Sequence, residues 1–369
     1  MKILFVLENY FPKIGGVETL FKTLIEELAQ DEANQITVIT SNAGADVPKK
    51  EQQGNISIIR LTIWNRYLFT LLALWPVLKQ AGKHELIHTT SYNAALPAFL
   101  GACWSRKKVI ITFHEVWGNL WFSLPYMSRL GRYGHYLFEQ LLLRLSFTRF
   151  IAVSESTASG LRQAGIPSEK VKMIYNGINY DEFAGVKPAV RPPSLQHHFI
   201  YTYFGRLGVS KGLDILLDAA ETLKLSFLES RLQLIIPTTP APFYQELIST
   251  IEQKELRDYI ILRHHLPFEE LKATLCDSDC VVVPSYSEGF CFAAVEAIAL
   301  GVAIISSDQA ALKEVVCGRF LKMKRLDSPS LVAAIHQAKE GEWEVSPVQQ
   351  YELSNTLRQY LALYAEVLQ

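Results

Sequence analysis

Cys280 to Gly301 reads CVVVPSYSEGFCFAAVEAIALG. It opens with four β-prone apolar residues and closes with an alanine-rich apolar run that Gly301 ends. Apolar runs as short as Cys280 to Val283 suit a strand buried on both faces of a parallel sheet. Ala293 to Leu300 reads as a helix, with Gly301 well placed to stop it. Strand, loop and helix in that order make half of a βαβ unit. Glu288 lies in the loop and Glu296 in the helix. Loop and helix carboxylates at this spacing need not form an acid–base pair. A carboxylate accepts two hydroxyl hydrogen bonds, so each suits a polyol: one from the loop on sugar hydroxyls, the other from the helix on a ribose. Glu296 is flanked by Val295 and Ala297 in an otherwise apolar helix, and a charge there needs a reason.

The same alternation extends in both directions. Toward the C-terminus, Ala303 to Ser306 reads as a strand. Toward the N-terminus, Phe199 to Phe204, Leu232 to Ile236 and Tyr259 to Leu262 read as strands, with a helix over Gly212 to Phe227. Ahead of them, Ala184 to His198 carries Pro188, Pro192 and Pro193 and reads as a linker. A second series precedes it. Ile3 to Leu7, Ile36 to Thr40, Leu86 to His88, Val109 to Phe113 and Phe150 to Val153 read as strands, with a helix over Val17 to Ala29. Thr356 to Leu368 reads as a last amphipathic helix. With 369 residues the chain has room for two domains at about 150 residues each. The expected division is residues 1–187 and 188–349, with a helix over 350–369 packing back on the first domain. Ligands of such sheets bind beyond the carboxyl ends of the strands, which is where the motifs fall.

Composition narrows the function. Hydrophobic residues make up 49% and charged residues 20%, with a formal net charge of −1, so overall charge implies no nucleic-acid partner. Cys103, Cys276, Cys280, Cys291 and Cys317 are odd in number and lack zinc-type CxxC spacing, which suits reduced thiols in the cytoplasm. The N-terminus has no signal-peptide pattern. The longest apolar run, Tyr67 to Leu78, is broken by Pro76 and falls short of the ~20 residues of a spanning helix, so no transmembrane segment is expected.

Three further segments carry chemistry. YFGRLGVSKG, Tyr203 to Gly212, follows a strand and holds Arg206 and Lys211 on a glycine-rich loop. Two cations on such a loop suit a diphosphate, as fork and as point charge, where solvated surface cations are the alternative. Gly15 and Gly16 follow the first strand and open a helix, a place where backbone N–H groups meet anions, although a plain tight turn looks the same. Neither GxGxxG at that turn nor GxxxxGK[ST] anywhere is present, which weakens dehydrogenase and P-loop readings. His114 ends a strand in VIITFHEVWG and is either a site group or a hydrogen-bonded structural histidine.

Taken in order, PKIGGVETL, TFHE, AVSES, IYNGINYDEF, GRLGVSKG and the Glu288 to Glu296 E-x7-E motif resemble the family-4 glycosyltransferases of the GT-B fold, over nearly the whole chain. The resemblance implies an α/β protein of two Rossmann-like domains facing across a cleft. It implies a retaining, metal-independent transferase that moves a sugar from a UDP- or GDP-linked donor to a saccharide or lipid-linked acceptor hydroxyl in cell-envelope polysaccharide or glycolipid synthesis. Gly15 and Gly16 would lie against the donor diphosphate. Arg206 and Lys211 would neutralise the leaving group in place of a metal, on the reading that the chain has no Asp-x-Asp metal motif. His114 would lie beside the sugar. Glu288 would hold sugar hydroxyls, with N–H groups of Gly289, Phe290 and Cys291 helping, and Glu296 would contact the ribose. Asn176 and Gly177 resemble the family's NG turn, and Ser154 and Glu155 would lie near the cleft. No cofactor and no protein nucleophile are implied. Cys291 departs from a usual glycine and Ala293 from a usual proline. Pro237 to Pro242 replaces a glycine-rich loop, and His264 and His265 stand where a glycine is common. Rival readings are a catalytically degenerate nucleotide-sugar-binding subunit and an epimerase or phosphorylase of the same architecture.

An anionic membrane surface is the last expected partner, making the protein peripheral at the inner face of a membrane. Arg60 to Lys83 holds four cations, no acid and the aromatics Trp64, Tyr67, Phe69 and Trp75. Trp104 to Arg149 holds seven cations against Glu115 and Glu139, and Asn119 to Met127 reads as an uncharged aromatic loop. Such mixtures suit a lipid interface, although a core or a lid over the acceptor has the same composition.

Overall fold

The computed structural model describes every residue except Ile14, Ala43, Ala45, Asp46, Trp64, Tyr126 and Pro240. Trp64 and Tyr126 of the expected membrane segments, and Pro240 of the proline-rich loop, therefore lie outside the described residues. The chain forms two compact units. The first holds Met1–Ser123, Ser128–Gly177 and Leu353–Gln369; the second holds Leu124–Met127 and Ile178–Glu352.

The first unit contains strands β1 (Lys2–Val6), β2 (Gln35–Ser41), β3 (Lys50–Gln53), β4 (Ile56–Leu61), β5 (Leu86–Thr90), β6 (Lys108–Phe113), β7 (Arg149–Ala152) and β8 (Val171–Met173). Its helices are α1 (Gly16–Ala29), α2 (Phe69–Leu72), α3 (Leu74–Ala81), α4 (Ala95–Ser105), α5 (Arg129–Leu143) and α6 (Glu155–Gln163). The sheet order is β3-β4-β2-β1-β5-β6-β7-β8, parallel throughout except for the β3–β4 pair. Side chains alternate across β1. Ile3 and Phe5 join a core with Phe21 and Leu24 of α1, whereas Leu4 and Val6 join a core with Val77 of α3 and Ala98 of α4. The α3–α4 crossing is tight at Gly101, where a Cβ would stand 2.5 Å from Val77 Cγ1.

The second unit contains strands β9 (Phe199–Phe204), β10 (Ser230–Ile235), β11 (Ile260–Arg263), β12 (Cys280–Val283), β13 (Ile304–Ser306), β14 (Arg319–Lys322) and β15 (Glu344–Val345). Its helices are α7 (Leu213–Ser226), α8 (Ala241–Gln253), α9 (Phe268–Cys276), α10 (Phe292–Ala299), α11 (Leu312–Val315) and α12 (Ser328–Lys339). The order is β11-β10-β9-β12-β13-β14-β15, and only β15 runs antiparallel. The last helix, α13 (Leu353–Leu368), belongs to the first unit. It buries Tyr360, Leu363, Tyr364 and Val367 against the α1 face of the sheet.

The units divide at Gly177, ahead of the proline-rich stretch expected to link them. That stretch is tied into the second unit: the Ala189 N–H donates to the Ala273 carbonyl, and Arg191 pairs with Asp277 and Asp279. Each sheet has a point where the strand order reverses, β2-β1-β5 in the first and β10-β9-β12 in the second. Connections leave such a point in opposite directions and open a crevice beyond the carboxyl ends of its strands.

Candidate functional site

In the second unit the loops after β9 and β12 meet at that crevice. Lys211, on the first, places Nζ 2.8 and 2.9 Å from the two Glu288 carboxylate oxygens on the other. Ser285 donates to Glu288 Oε1 at 2.7 Å. Its own carbonyl accepts from Ser307 Oγ at 2.6 Å, which joins the end of β13 to the site. The Tyr286 N–H donates to the Ser210 carbonyl, and the Tyr286 hydroxyl donates to Asp214 Oδ2 at 2.6 Å. The loops touch at the backbone. Gly212 adopts φ +67°, and a Cβ there would stand 2.0 Å from the Pro284 carbonyl oxygen, so both backbone freedom and lack of a side chain are needed. Glu288 is buried, so its pairing with Lys211 and Ser285 offsets the cost of taking a carboxylate from water. Arg206, on the same loop as Lys211, is exposed.

Gly289 and Phe290 are buried, and Phe290 packs edge-on against Phe292 and Tyr351. Cys291 caps α10 with φ 68°, the left-handed region, where a side chain is strained and the glycine usual in the resembled family is not. The first amides of α10 lack intrahelical acceptors and offer N–H groups to an anion. Glu296 lies in the middle of α10 and is half-buried. Burial pushes its carboxyl up to about 7, with the nearby Glu182 carboxylate adding to the shift. Beyond β10 and β11, His264 takes the Ile236 carbonyl at Nδ1 and the Tyr244 hydroxyl at Nε2, and His265 Nε2 lies 3.2 Å from Thr238 Oγ1.

In the first unit Gly15 and Gly16 open α1 beyond β1, and Gly15 is extended, at φ 174°. His114 follows β6, with its carbonyl accepting from Thr157 Oγ1 at 3.1 Å. Ser154 is the α6 cap, accepting from the Thr157 N–H, and Glu155 pairs with Arg162 on the α6 surface. Sequence reasoning missed a charged cluster around the β1 carboxyl end. Glu8 accepts from Asn93 at 2.8 Å and pairs with Arg66 at 3.0 Å, while Lys13 donates to Asn9 and Ser41. Burial holds the Lys13 ammonium below the usual lysine range, against the pull of Glu8 and Glu18. No motif pointed to these residues, because scattered single polar positions become a cluster only once β1, β2 and β5 are adjacent.

One correction concerns metals. Contrary to the expectation, the chain does contain an Asp-x-Asp, Asp277 to Asp279. It precedes β12, at the amino end of the strand, away from the loop that carries Glu288. Both carboxylates pair with Arg191, and Asp279 also accepts the Ile200 N–H at 2.7 Å. Its role is to tie the incoming chain to the sheet.

Comparison with known proteins gives two matches that together cover most of the chain. Residues 14–182 match Glycosyltransferase Family 4, and residues 191–356 match Glycosyl transferases group 1. WcaL of Salmonella typhimurium, named for a glycosyltransferase role in colanic acid biosynthesis, is 26% identical over 229 residues. That match spans 56% of this chain and just over half, 55%, of WcaL. The GDP-mannose:cellobiosyl-diphosphopolyprenol alpha-mannosyltransferase of Xanthomonas campestris is 24% identical over 84% of this chain and 79% of its own. Among solved structures, Anabaena HepE in complex with UDP-glucose superposes with a TM-score of 0.76, at 19% identity, covering 99% of this chain and 100% of its own.

Proposed function

The chain belongs to the family-4 glycosyltransferases of the GT-B fold, and on that premise we propose that it transfers a sugar from a nucleoside diphosphate donor to a hydroxyl of a lipid-linked saccharide, with retention of configuration and without a metal. The observation that carries this reading is the Lys211–Glu288 pair at the reversal point of the second sheet. It sets a cation for a departing diphosphate beside a carboxylate for sugar hydroxyls. Arg206 supplies the second cation, and the N–H groups of Gly289 to Cys291 and the first turn of α10 receive phosphate charge as it develops. Glu296 accepts ribose hydroxyls. The lipid-linked acceptor follows the Xanthomonas relative, whose name specifies a diphosphopolyprenol.

The nucleotide is tested with a thermal-shift panel of UDP, GDP and their sugar conjugates. A true donor at 100 times its dissociation constant stabilises by about 2.7 kcal/mol. Incubating that donor with lipid-linked oligosaccharides, in EDTA, should yield a product whose anomeric proton coupling matches the donor's. Inversion, or a strict requirement for Mg²⁺ or Mn²⁺, overturns the mechanistic part. Donor binding without transfer to any acceptor would favour the degenerate subunit. Arg206→Ala and Lys211→Ala should each slow transfer by about 100-fold or more, as loss of a cation that stabilises a developing anion does.

A further inference from the structure

We infer that the first unit docks on an anionic phospholipid bilayer through the outward face of α5, helped by the exposed apolar residues of α2 and α3. The inference takes its motive from the lipid-linked acceptor of the proposed function, but its observations and test are independent of turnover.

Helix α5 is amphipathic in an unusual sense. Its buried side holds Glu139, Leu142 and Leu143. Its outer side carries Leu130, Tyr133, Leu137 and Leu141 at helical spacing, a single apolar stripe. Leu130 is 84% exposed and Leu137 62%. Soluble helices put such a stripe inward; here the inner face is already supplied. The stripe has neighbours of the same kind. Tyr67, in the turn Arg66–Leu68 that leads into α2, places its hydroxyl 3.2 Å from His135 Nε2 and so ties that turn to α5. Leu71 of α2 and Trp75 of α3 are 70% and 66% exposed.

The charges are complementary to an anionic surface. Helices α2, α3, α4 and α5 contain one acid, Glu139, and it is fully buried, accepting the Trp117 and Gly118 N–H groups. Lys79 lies over the Trp75 ring at 4.9 Å, and Arg129 and Arg144 are exposed at the two ends of α5. A hollow of about 350 Å³ opens at the first turn of α5, lined by Phe122, Arg129, Arg132 and Tyr133. Neither arginine has an acidic partner among the described residues, and Arg132 Nε is buried without a hydrogen bond. Two such arginines between aromatic rings suit a lipid phosphate, and the leucine stripe suits the acyl boundary beside it.

This placement differs from the sequence expectation. Trp121 and Leu124 of the aromatic loop are 5% and 0% exposed, so they cannot reach lipid. Arg60 is buried against Glu51, Arg66 pairs with Glu8, and Lys108 and Arg149 bond to α13. The lipid face is carried instead by a helix whose outward residues no core claims.

The test is co-sedimentation of the full chain with vesicles of phosphatidylcholine, with and without 30% phosphatidylglycerol, at low and high salt. Partitioning should need the anionic lipid and be reversed by salt. Arg129→Ala, Lys79→Ala and Arg144→Ala should each weaken it about fivefold, from roughly 1 kcal/mol per cation near such a surface. Leu130→Glu with Leu137→Glu should reduce it at least tenfold. These sites are exposed, so each variant should keep the wild-type melting temperature and nucleotide thermal shift. The inference fails if wild-type protein stays in the supernatant at low salt, or if the double glutamate variant pellets like wild type. It also fails if the stripe instead drives a concentration-dependent dimer that Leu137→Glu dissolves while vesicles are ignored. Vesicle binding without any nucleotide shift would leave this inference standing and remove the proposed transfer activity.

Discussion

Glu288 is held at three points, twice by Lys211 Nζ and once by Ser285 Oγ. Its orientation is therefore fixed before any ligand arrives, which is what hydroxyl recognition needs. Glu288→Gln keeps the shape but weakens the acceptor and removes the carboxylate charge that Lys211 pairs with. We expect transfer to fall by about 1000-fold or more, within the several kcal/mol that such polar groups contribute, while nucleoside diphosphate still raises the melting temperature. Turnover at the wild-type rate would remove Glu288 from the site. Glu296 gives a pH signature. Its carboxyl, pushed up to about 7 from the ordinary 4.5, binds more protons folded than unfolded. Stability from this group is therefore complete below 4.5 and declines as pH rises from 4.5 through 7. Glu296→Gln should flatten that decline, and its melting temperature relative to wild type should rise by roughly 5–10 °C between pH 5 and 8, the equivalent of about 2–3 kcal/mol in a domain this size. A parallel pH dependence in both proteins would reject the shift.

At the scale of the element, α13 is fastened to the sheet by a buried polar ladder. His88 Nδ1 meets the Tyr364 hydroxyl at 2.7 Å, His88 Nε2 meets Thr112 Oγ1 at 2.9 Å, and Thr112 meets the Tyr360 hydroxyl. Full burial lowers His88 to about 3, with His114 adding to the shift, so the ring is neutral at physiological pH. A depressed histidine contributes stability above its unfolded value of 6.5, lost progressively as pH falls from 6.5 toward 3. Tyr364→Phe orphans one ring nitrogen and should cost about 1–3 kcal/mol in chemical denaturation of the first unit. A cost near zero would mean that water replaces the hydroxyl. Elements also differ in how far sequence reveals them. β9 and β12 were read to the residue, because central parallel strands are apolar on both faces. β3, KEQQ, and β15, with two residues, escaped because they are exposed antiparallel edges without apolar signal. α5 escaped because its Gly131 and Gly134 weaken helix propensity and its outward leucines blur the expected pattern.

Over the whole molecule, the repeated strand–helix alternation made two Rossmann-like units legible, and the strand ends pointed to the candidate site in the second. Glu288 and Lys211 were visible because a carboxylate and a lysine in glycine-bearing loops stand out. Ser285, Ser307 and the Tyr286–Asp214 bond were not, since serines and tyrosines occur everywhere and acquire a role only through the contact of two loops. The unit boundary was misplaced because prolines mark irregular backbone, whether it links units or is laced onto one of them by Arg191. The first unit is discontinuous, and that supports a test. Ending the chain after Glu352 should leave the second unit folded, while the first loses the buried Tyr360, Leu363, Tyr364 and Val367. Limited proteolysis should then release a resistant fragment beginning near Ile178. Equal resistance of both units would contradict the division.

The return of α13 to the first sheet also sets an order in time. A ribosome finishes the second unit before it has made the helix that seals the first. Until Leu353 to Leu368 emerges, Phe5, Phe21 and His88 face an open groove. Segments made before the second unit thus wait for one made after it, and nascent chains stalled before that point should be held by chaperones through the first sheet.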